Sequence, residues 1–467
     1  MYGSYPLSST STNEEAFMVS KRIERRREKL KSMREKIESG QLNAVRELLT
    51  HETIKQICNE CGHYFRSRLL TPLVIIFHMI GAAISREGSF QSAWHMSGQS
   101  GMSDSLTKAR KRLPLSVWGH LHQWTVNQIS EEHDSEHLWH GHRLIGNDGS
   151  CVSMPDELEL AERFGKSGTK YGPSLFPIAN MVFVFNLNTL VTIGHAMDHC
   201  RISELELFDR LTPLLKPGDI IVNDRRYAGA ARYYRYIKAG LHFVNRAHQA
   251  LQIERLEVVE RFNHDDFIVK LPIPKKDRKE DPLLPEYVLV RIIKAAIRNR
   301  ENKKEMLWIA TSLLDAKEYP ANEVKGLFKK RWRVETLIEE IKIWLSADVL
   351  RSKSVEGIFK EMHARVVATD LIHWLILKAA KQHGKKPDRI SVSATLRLTA
   401  AYSLKMSTAP AWQLPLLYEE LLGHIAYSLV PYRPDRAEPR MIKRKQHKYD
   451  RLKIPRWEWK LIHAMAA

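Results

Sequence analysis

Cysteine is scarce in this sequence, with four residues in a chain of 467. So few cysteines cannot build the dense disulfide framework of a small secreted protein, and a reducing compartment fits them. Cys58 and Cys61 form a C-x-x-C pair with His63 nearby, but no second ligand pair stands at the spacing of a zinc finger. We therefore favour ordinary helix cysteines over a zinc site, which remains the alternative.

Long apolar runs are also missing. The longest, from Leu69 to Ile84, contains Pro72 and His78 and is shorter than the roughly 20 residues that a membrane-spanning helix needs. A buried helix explains this run better, and we expect no membrane partner. The N-terminus shows no basic flank followed by an apolar core and a small-residue cleavage site, so we expect a cytoplasmic protein.

Acidic residues are outnumbered, with 54 against 73 lysines and arginines and a net charge of +19. This balance favours a polyanionic partner, with nucleic acid ahead of an anionic membrane surface. The stretch from Lys21 to Lys36 is highly charged and predicts a helix that is either solvated or lies on an anion. It lacks the bulky apolar face of a membrane-surface helix, which disfavours the membrane alternative.

The first 135 residues have a helical pattern, with apolar segments separated by turn-like stretches such as GQSGMSDS. One segment carries Lys108, Arg110 and Arg112. We therefore predict a helical DNA-binding region over residues 1–135.

The period changes after His140, and residues 136–385 are predicted to form an α/β domain. The segments RLIGNDGSCVSM, IANMVFVFNL and LVTIGHAM are β-branched, short and bounded by turn residues, which predicts three strands. A helix, a buried strand ending at Asp224, a second helix and another strand follow.

Residues 249–315 are predicted to be a β-rich insertion. Two helices, Asn322 to Leu345 and Ser354 to about Gln382, close the domain, and residues 386–467 form a helical and then basic, proline-interrupted tail suited to phosphates.

Two aspartates occupy positions that suit a metal. Asp148 lies inside the first predicted strand, where a charge is costly unless it meets a cation or opens onto a cleft. Asp224 ends the fourth strand, at the edge where open α/β sheets commonly place their sites. Phosphodiester cleavage by two divalent ions needs about three converging carboxylates, because hard cations prefer oxygen ligands.

A third carboxylate comes from the long predicted helix. Phe328, Arg331, Glu335 and Lys342 are offset by three, four and seven residues and share one stripe. In an enzyme that grips DNA, Glu335 would bind metal while Arg331 and Lys342 hold phosphates. The alternative is a surface ion pair between Arg331 and Glu335, which spacing alone leaves open.

Four blocks of sequence resemble the insertion sequence 4 family of bacterial DDE transposases, in that family's order. They are SDSLTKARKRLP (103–114), DGSCVSMPD (148–156), LLKPGDIIVNDRRYAG (214–229) and FKKRWRVETLIEEIK (328–342). A fifth, RPDRAEPRMIKRK (433–445), resembles the basic C-terminal segment of one branch. The family's helix signature has tyrosine where this chain has Phe328, so a polar contact to DNA there is lost and stacking or packing remains.

The resemblance implies a transposase that binds the terminal inverted repeats of its element and catalyses strand cleavage and strand transfer. Asp148, Asp224 and Glu335 would be its catalytic residues and hold two Mg²⁺ ions, for which Mn²⁺ could substitute. The implied fold is an RNase H-like core with a β-strand insertion between the second aspartate and the glutamate. A synaptic homodimer on double-stranded DNA, associated with the bacterial nucleoid, is also expected.

Other polar residues are weaker candidates. Asp156, Asp219, Glu339 and Glu340 are acidic but lie in turns or off the Arg331 stripe, and Trp308 and Trp332 are better explained as core than as base-stacking residues. Arg225, Arg226 and Tyr227 follow Asp224 and would meet phosphate if it binds metal. Two rival functions remain: a catalytically inactive DNA-binding relative, and an RNase H-like nuclease that never joins strands.

Overall fold

The computed structural model describes residues 50–65, 69–84, 103–169, 172–248, 251–298, 304–431 and 456–464, with a few single residues besides. The chain divides into two compact units, residues 1–117 with 396–421 and residues 118–395 with 422–467. The predicted basic helix from Lys21 to Lys36 is described only at three helical positions, Lys21, Glu24 and Glu28. The basic block 433–445 lies outside the described residues.

The first unit contains helices α1 (His51–Glu60), α2 (Pro72–Ile84) and α3 (Ser103–Arg112). Helix α1 begins after Thr50, whose hydroxyl accepts a hydrogen bond from the Thr53 amide at 3.1 Å and caps a free donor. All residues of α2 except Gly81 are buried, which confirms the prediction of a buried helix. Within the described part of the chain, no helix has the length and apolar character to cross a membrane.

The second unit is built on a sheet whose strands follow the predicted order. They are β1 (Leu144–Ser153), β2 (Gly168–Thr169), β3 (Gly172–Pro173), β4 (Ile178–Asn186), β5 (Thr192–His199), β6 (Ile220–Asn223), β7 (His242–Arg246), β8 (Glu257–Asn263), β9 (Asp266–Pro272), β10 (Tyr287–Arg298) and β11 (Lys304–Thr311). Nine of them form one mixed sheet in the order β5-β4-β1-β6-β7-β11-β10-β9-β8, while β2 and β3 form a separate small hairpin. Strand β1 is parallel to β6, and β6 is parallel to β7, whereas the other neighbours are antiparallel. The α/β class with a large mixed sheet is thereby confirmed.

The helices that follow α3 along the chain are α4 (Leu115–His137), α5 (Leu158–Phe164), α6 (Glu204–Leu211), α7 (Ala230–Lys238), α8 (Lys275–Glu280), α9 (Ala321–Lys330), α10 (Trp332–Glu339), α11 (Val355–Gln382), α12 (Val392–Thr408), α13 (Leu414–Tyr427) and α14 (Arg456–Ala464). Residues 396–421, which include most of α12 and the first part of α13, belong to the first unit. One apolar core joins the sheet to α5, α9, α10 and α11, and a second core on the opposite face joins it to α6 and α7. Helix α5 lies between β1 and β4 and was not predicted.

The helix predicted from Asn322 to Leu345 is divided. Helix α9 ends at Lys330, α10 begins at Trp332, and Glu340–Trp344 form a π-helical turn. Arg331 keeps helical angles, with φ −50° and ψ −39°, so the axis continues through it. A π turn has a wider period than an α-helix, so it changes the angle between Glu335 and Lys342 from the one that a continuous α-helix would give.

Candidate active site

Asp148 and Asp224 occupy matching positions on neighbouring parallel strands. The last parallel pair between β1 and β6 joins Gly146 to Val222. Asp148 lies two residues further along β1, and Asp224 lies two residues beyond Val222, in extended backbone directly after β6 ends. Side chains repeat with a period of two along a strand, so both aspartates project toward the same face at the carboxyl edge of β6. The structure brings together the two carboxylates that the sequence predicted.

The surroundings of Asp148 are electrostatically unfavourable for its charge. Burial is the largest influence that raises the pKa of Asp148, and the nearby carboxylates of Glu204 and Asp224 raise it further. The Gly149 amide, 2.8 Å from Oδ1, and the Arg331 charge lower the pKa but do not outweigh burial. A half-buried acid with two acidic neighbours is the arrangement that a bound cation would relieve.

Glu204 is a functional candidate that the sequence reasoning missed. It is the first residue of α6, and its Oε1 accepts hydrogen bonds from the Gly149 amide at 3.1 Å and from the Tyr227 hydroxyl at 2.6 Å. Its Oε2 forms an ion pair with Arg226 at 2.9 Å. An acid in the first turn of a helix is common for helix stability alone, so only the tertiary structure reveals that Glu204 lies beside Asp148.

Helix α10 packs directly on β1 because Gly146 has no side chain. A Cβ atom there would lie 2.5 Å from Cγ2 of Val334 and 2.9 Å from the Leu187 side chain. Val334 immediately precedes Glu335, whose side chain is 30% exposed and lies 3.4 Å from the Arg331 guanidinium. The charge of Arg331 also lowers the pKa of Asp148, so this arginine acts on both the strand aspartate and the helix glutamate of the candidate site.

Lys342 ties the end of this helix to the strand that carries Asp148. Its Nζ donates to the Ser150 hydroxyl at 3.0 Å and to the Cys151 carbonyl at 2.9 Å. The following loop continues the contact, since the Ser153 amide donates to the Asp348 carbonyl at 3.1 Å and the Leu350 amide to the Ser153 carbonyl at 2.9 Å. In this conformation Lys342 fixes the helix to β1.

Glu340, a buried residue of the π turn, contacts His373 and Arg333. Glu340 accepts from Nε2 of His373 on α11 at 2.9 Å and lies 3.1 Å from Arg333. Burial alone would raise the pKa of Glu340, but His373 and Arg333 outweigh that influence and lower it. This glutamate, predicted to lie off the metal-binding stripe, therefore has a structural partner.

Besides Arg331 and Lys342, the residues predicted to contact DNA are four basic residues and Phe328. Arg225 is exposed directly beside Asp224, and Lys108 and Arg112 are exposed on α3, where Arg110 is half-buried. Phe328 requires a correction: it is 3% exposed and belongs to the core beneath α9. Because its ring is packed among apolar side chains, this conformation does not present it to DNA.

The weaker acidic candidates also have structural partners. Asp219 is buried and accepts from Arg143 at 2.8 and 2.6 Å, and Asp156 lies 3.0 Å from Lys166. Trp308 and Trp332 pack against the two apolar cores, as the core alternative predicted. Cys58 is buried and unoxidised, and burial followed by the effect of Cys61 raises its pKa to about 11.

Asp148, Asp224 and Glu335 do not form a compact ligand group. Among the described residues, three potential metal-ligating atoms come within 4.8 Å of one another only at His122, His195 and His363. Arg331 lies 3.4 Å from Glu335, and its charge also lowers the pKa of Asp148. The predicted carboxylates therefore share one region without direct three-way contact.

The chain is similar to several known proteins. A family model described as the transposase DDE domain matches residues 139–371. The chain is 25% identical over 317 residues to transposase InsG for insertion sequence element IS4 of Escherichia coli strain K12, a match covering 67% of this chain and 70% of that protein. A cryo-EM structure of the piggyBac transposase synaptic complex with hairpin DNA has a TM-score of 0.39 and 10% identity, over 85% of this chain and 87% of that one.

The sheet with its two matched aspartates and the family match define the protein as a transposase with a DDE domain. Within this class, the relative and the sequence blocks show the group: the chain belongs to the insertion sequence 4 family of DDE transposases. The family predicted from the motifs is confirmed.

Proposed function

We propose that this protein binds the terminal inverted repeats of its insertion element, cleaves the DNA strands there and joins them to target DNA. The observation that carries the proposal is the placement of Asp148 and Asp224 at matching positions beyond the last β1–β6 pair. The helix bearing Glu335 packs on the same strand through Gly146 and Val334. That arrangement and the family support a catalytic role for these three carboxylates.

The residues present fit a divalent metal. Carboxylate oxygens are the ligands that Mg²⁺ and Mn²⁺ prefer, and acidic neighbours already raise the pKa of Asp148 in addition to burial. Asp148, Asp224 and Glu335 would hold the two ions of our proposal. When bound, such ions activate the attacking hydroxyl and stabilise the leaving oxygen in an in-line displacement at phosphorus.

The cations around the carboxylates would position the DNA backbone. Arg331 lies near both Asp148 and Glu335, and Arg225 is exposed beside Asp224. A guanidinium can contact a phosphate through two donors, which fixes the strand as well as attracting it. Lys342 would orient the helix from its site on β1, and its charge would add to the field that the phosphate meets.

We assign residues 136–385 to an RNase H-like catalytic domain. Its core would be β5-β4-β1-β6-β7, and the segment 249–315 would be an insertion whose strands β8 to β11 extend the sheet. Residues 1–135 and 386–467 would bind DNA, with Lys108, Arg110 and Arg112 of α3 on phosphates. Two copies would pair the element ends in a synaptic complex at the bacterial nucleoid, in the cytoplasm.

Strand cleavage of a supercoiled plasmid carrying the DNA that flanks this gene tests the proposal. Wild type and Glu335→Gln would be compared in Mg²⁺ and in Mn²⁺, with binding to the same ends measured by mobility shift. Glu339→Gln is the matched control, because Glu339 is an exposed acid on the same helix.

The proposal expects wild type and the control to release the segment at its repeat borders, while Glu335→Gln binds without cutting. If wild type and all variants bind and none cuts in either metal, an inactive DNA-binding relative is the better description. If wild type cuts but never joins ends to a target plasmid, the nuclease alternative replaces strand transfer.

A further inference from the structure

Three histidines from distant parts of the sequence come together beside the sheet and do not belong to the group of Asp148, Asp224 and Glu335. They are His122 on α4, His195 on β5 and His363 on α11. One ring nitrogen of each lies within 4.8 Å of one from each of the others. The ring centroids of His195 and His363 are 4.5 Å apart, with the planes at 67°. Neither the proposed catalysis nor DNA binding uses these side chains.

The protonation state and the hydrogen bonding of His195 and His363 suit metal ligation. Burial is the main cause that lowers the pKa of His195 well below its usual value and that of His363 to about 3. Both are therefore neutral at physiological pH, as metal ligation requires. The Nδ1 atoms of His195 and His363 are buried and form no hydrogen bond, a costly arrangement unless something else binds them.

The tautomer of His122 is fixed by its neighbours. Its Nε2 lies 2.8 Å from the Thr192 carbonyl oxygen, which can only accept, so Nε2 carries the proton. The Asp370 carboxylate lies 3.2 Å from the same nitrogen and accepts from the Thr192 amide at 2.8 Å. In the neutral imidazole with the proton on Nε2, Nδ1 carries the lone pair that a metal would bind. A carboxylate that accepts from the other ring nitrogen is the usual outer shell of a metal-binding histidine.

We propose that His122, His195 and His363 bind a divalent first-row transition ion, with Zn²⁺ as the first candidate. Three imidazole nitrogens suit such an ion and do not suit Mg²⁺, which prefers oxygen. The ion would tie α4 and α11 to the edge strand β5. It would be distinct from the catalytic metals in ligand chemistry as well as in place.

The site has a direct structural relation to the carboxylates. His195 pairs with Phe183, which pairs in turn with Asp148, so the three lie in one row across the sheet. Two strand spacings separate the histidine from the aspartate, roughly 10 Å. An ion on the histidines would therefore hold the strand row that contains Asp148 without reaching the reacting DNA.

Cobalt substitution in the full-length protein tests the proposal. Co²⁺ on three nitrogens in a four- or five-coordinate site gives intense visible bands, whereas Co²⁺ on carboxylates and water is octahedral and nearly colourless. If Co²⁺ instead bound the thiolate of Cys58, charge-transfer bands would appear in the near ultraviolet. These bands would distinguish a cysteine site from the histidine site. The matched pair is His363→Gln and His133→Gln, because His133 is also buried with ring nitrogens that form no hydrogen bond.

Wild type and His133→Gln should develop the intense visible bands with one equivalent of Co²⁺. Zn²⁺ should displace the Co²⁺ and should raise the melting temperature of both proteins. His363→Gln should bind at least tenfold more weakly and gain no thermal stability. The proposal is overturned if wild type shows only octahedral cobalt, or if the two variants behave alike. Should His363→Gln fail to fold, X-ray absorption on wild type with one Zn²⁺ decides, since a shell of oxygens alone would exclude the histidine site.

Discussion

Nζ of Lys342 lies 2.9 Å from the carbonyl oxygen of Cys151, three residues beyond Asp148 on the same strand. The contact joins the end of the helix that carries Glu335 to the strand that carries the first aspartate. A second contact, from Nζ to the Ser150 hydroxyl at 3.0 Å, strengthens the same connection. The lysine that the family signature places on DNA therefore also has a structural partner within the site.

Replacing Asp148 with asparagine should stabilise the metal-free protein. The pKa of Asp148 is raised on folding, chiefly by burial, so the folded state binds its proton more tightly and loses stability as pH rises through that pKa. At neutral pH the ionised side chain is therefore destabilising, and Asp148→Asn should raise the free energy of unfolding by about 0.5 to 2 kcal/mol. Urea unfolding in EDTA measures this. The gain should shrink in acid, and a variant less stable than wild type at neutral pH would contradict the explanation.

Gly146→Ala should damage both stability and cleavage. The added Cβ would lie 2.5 Å from Val334 Cγ2, and relieving that overlap must move the helix that bears Glu335. Overpacking of this kind costs about 1 to 3 kcal/mol. Gly119→Ala on α4 is the control, because a Cβ there meets nothing within 4 Å. Denaturant unfolding and plasmid cleavage would be compared for both variants. If the two variants behaved alike, the close approach of Val334 to Gly146 would not be required for stability or cleavage.

Glu204→Gln should move the pH dependence of metal-supported cleavage toward acid. The Glu204 charge adds to burial in raising the pKa of Asp148, so its removal lets Asp148 ionise at lower pH. Glutamine retains an oxygen for the Gly149 amide and the Tyr227 hydroxyl. Cleavage rates across pH would be measured beside Glu206→Gln, an exposed acid on the same helix. If the cleavage rate fell at the same acidic pH in Glu204→Gln as in wild type, the charge of Glu204 would have no influence on the ionisation of Asp148.

Glu340→Gln should cost about 3 kcal/mol of folding free energy, since removing one member leaves the rest of a buried ion pair uncompensated. The pKa of Glu340 is lowered because His373 and Arg333 outweigh burial, so its contribution is present at neutral pH and lost as pH falls through that lowered value. Chemical denaturation at neutral and acidic pH measures both effects. Glu339→Gln, which is exposed, should stay within about 0.5 kcal/mol. A similar small loss for both would rule out a structural role for the pair.

Sequence reasoning was most successful where a pattern depends on neighbours along the chain. The strand containing Asp148 and the strand before Asp224 were predicted from short β-branched segments and the turn residues that bound them, because these features belong to the local sequence. The family resemblance supplied Glu335, which spacing alone left open against a surface ion pair.

Features that depend on tertiary contacts were not predictable in this way. Glu204 resembles any acid in a first helical turn, and only its contacts with Gly149 and Tyr227 place it at the site. The π turn at Glu340–Trp344 changes the helical period, which a fixed 3.6-residue repeat cannot anticipate. Phe328 lies in the core, although the family signature predicted a DNA contact at that position.

The central claim is that Asp224 is a metal ligand in DNA cleavage, and exchange of its ligand atom tests it most directly. A thiolate is a poor ligand for Mg²⁺ but binds softer ions better, so Asp224→Cys should be inactive in Mg²⁺ and regain plasmid cleavage in Mn²⁺. Asp224→Ser, which is similar in size and lacks the thiolate, should stay inactive in both. Equal cleavage by the cysteine and serine variants in Mn²⁺ would contradict metal ligation at this position.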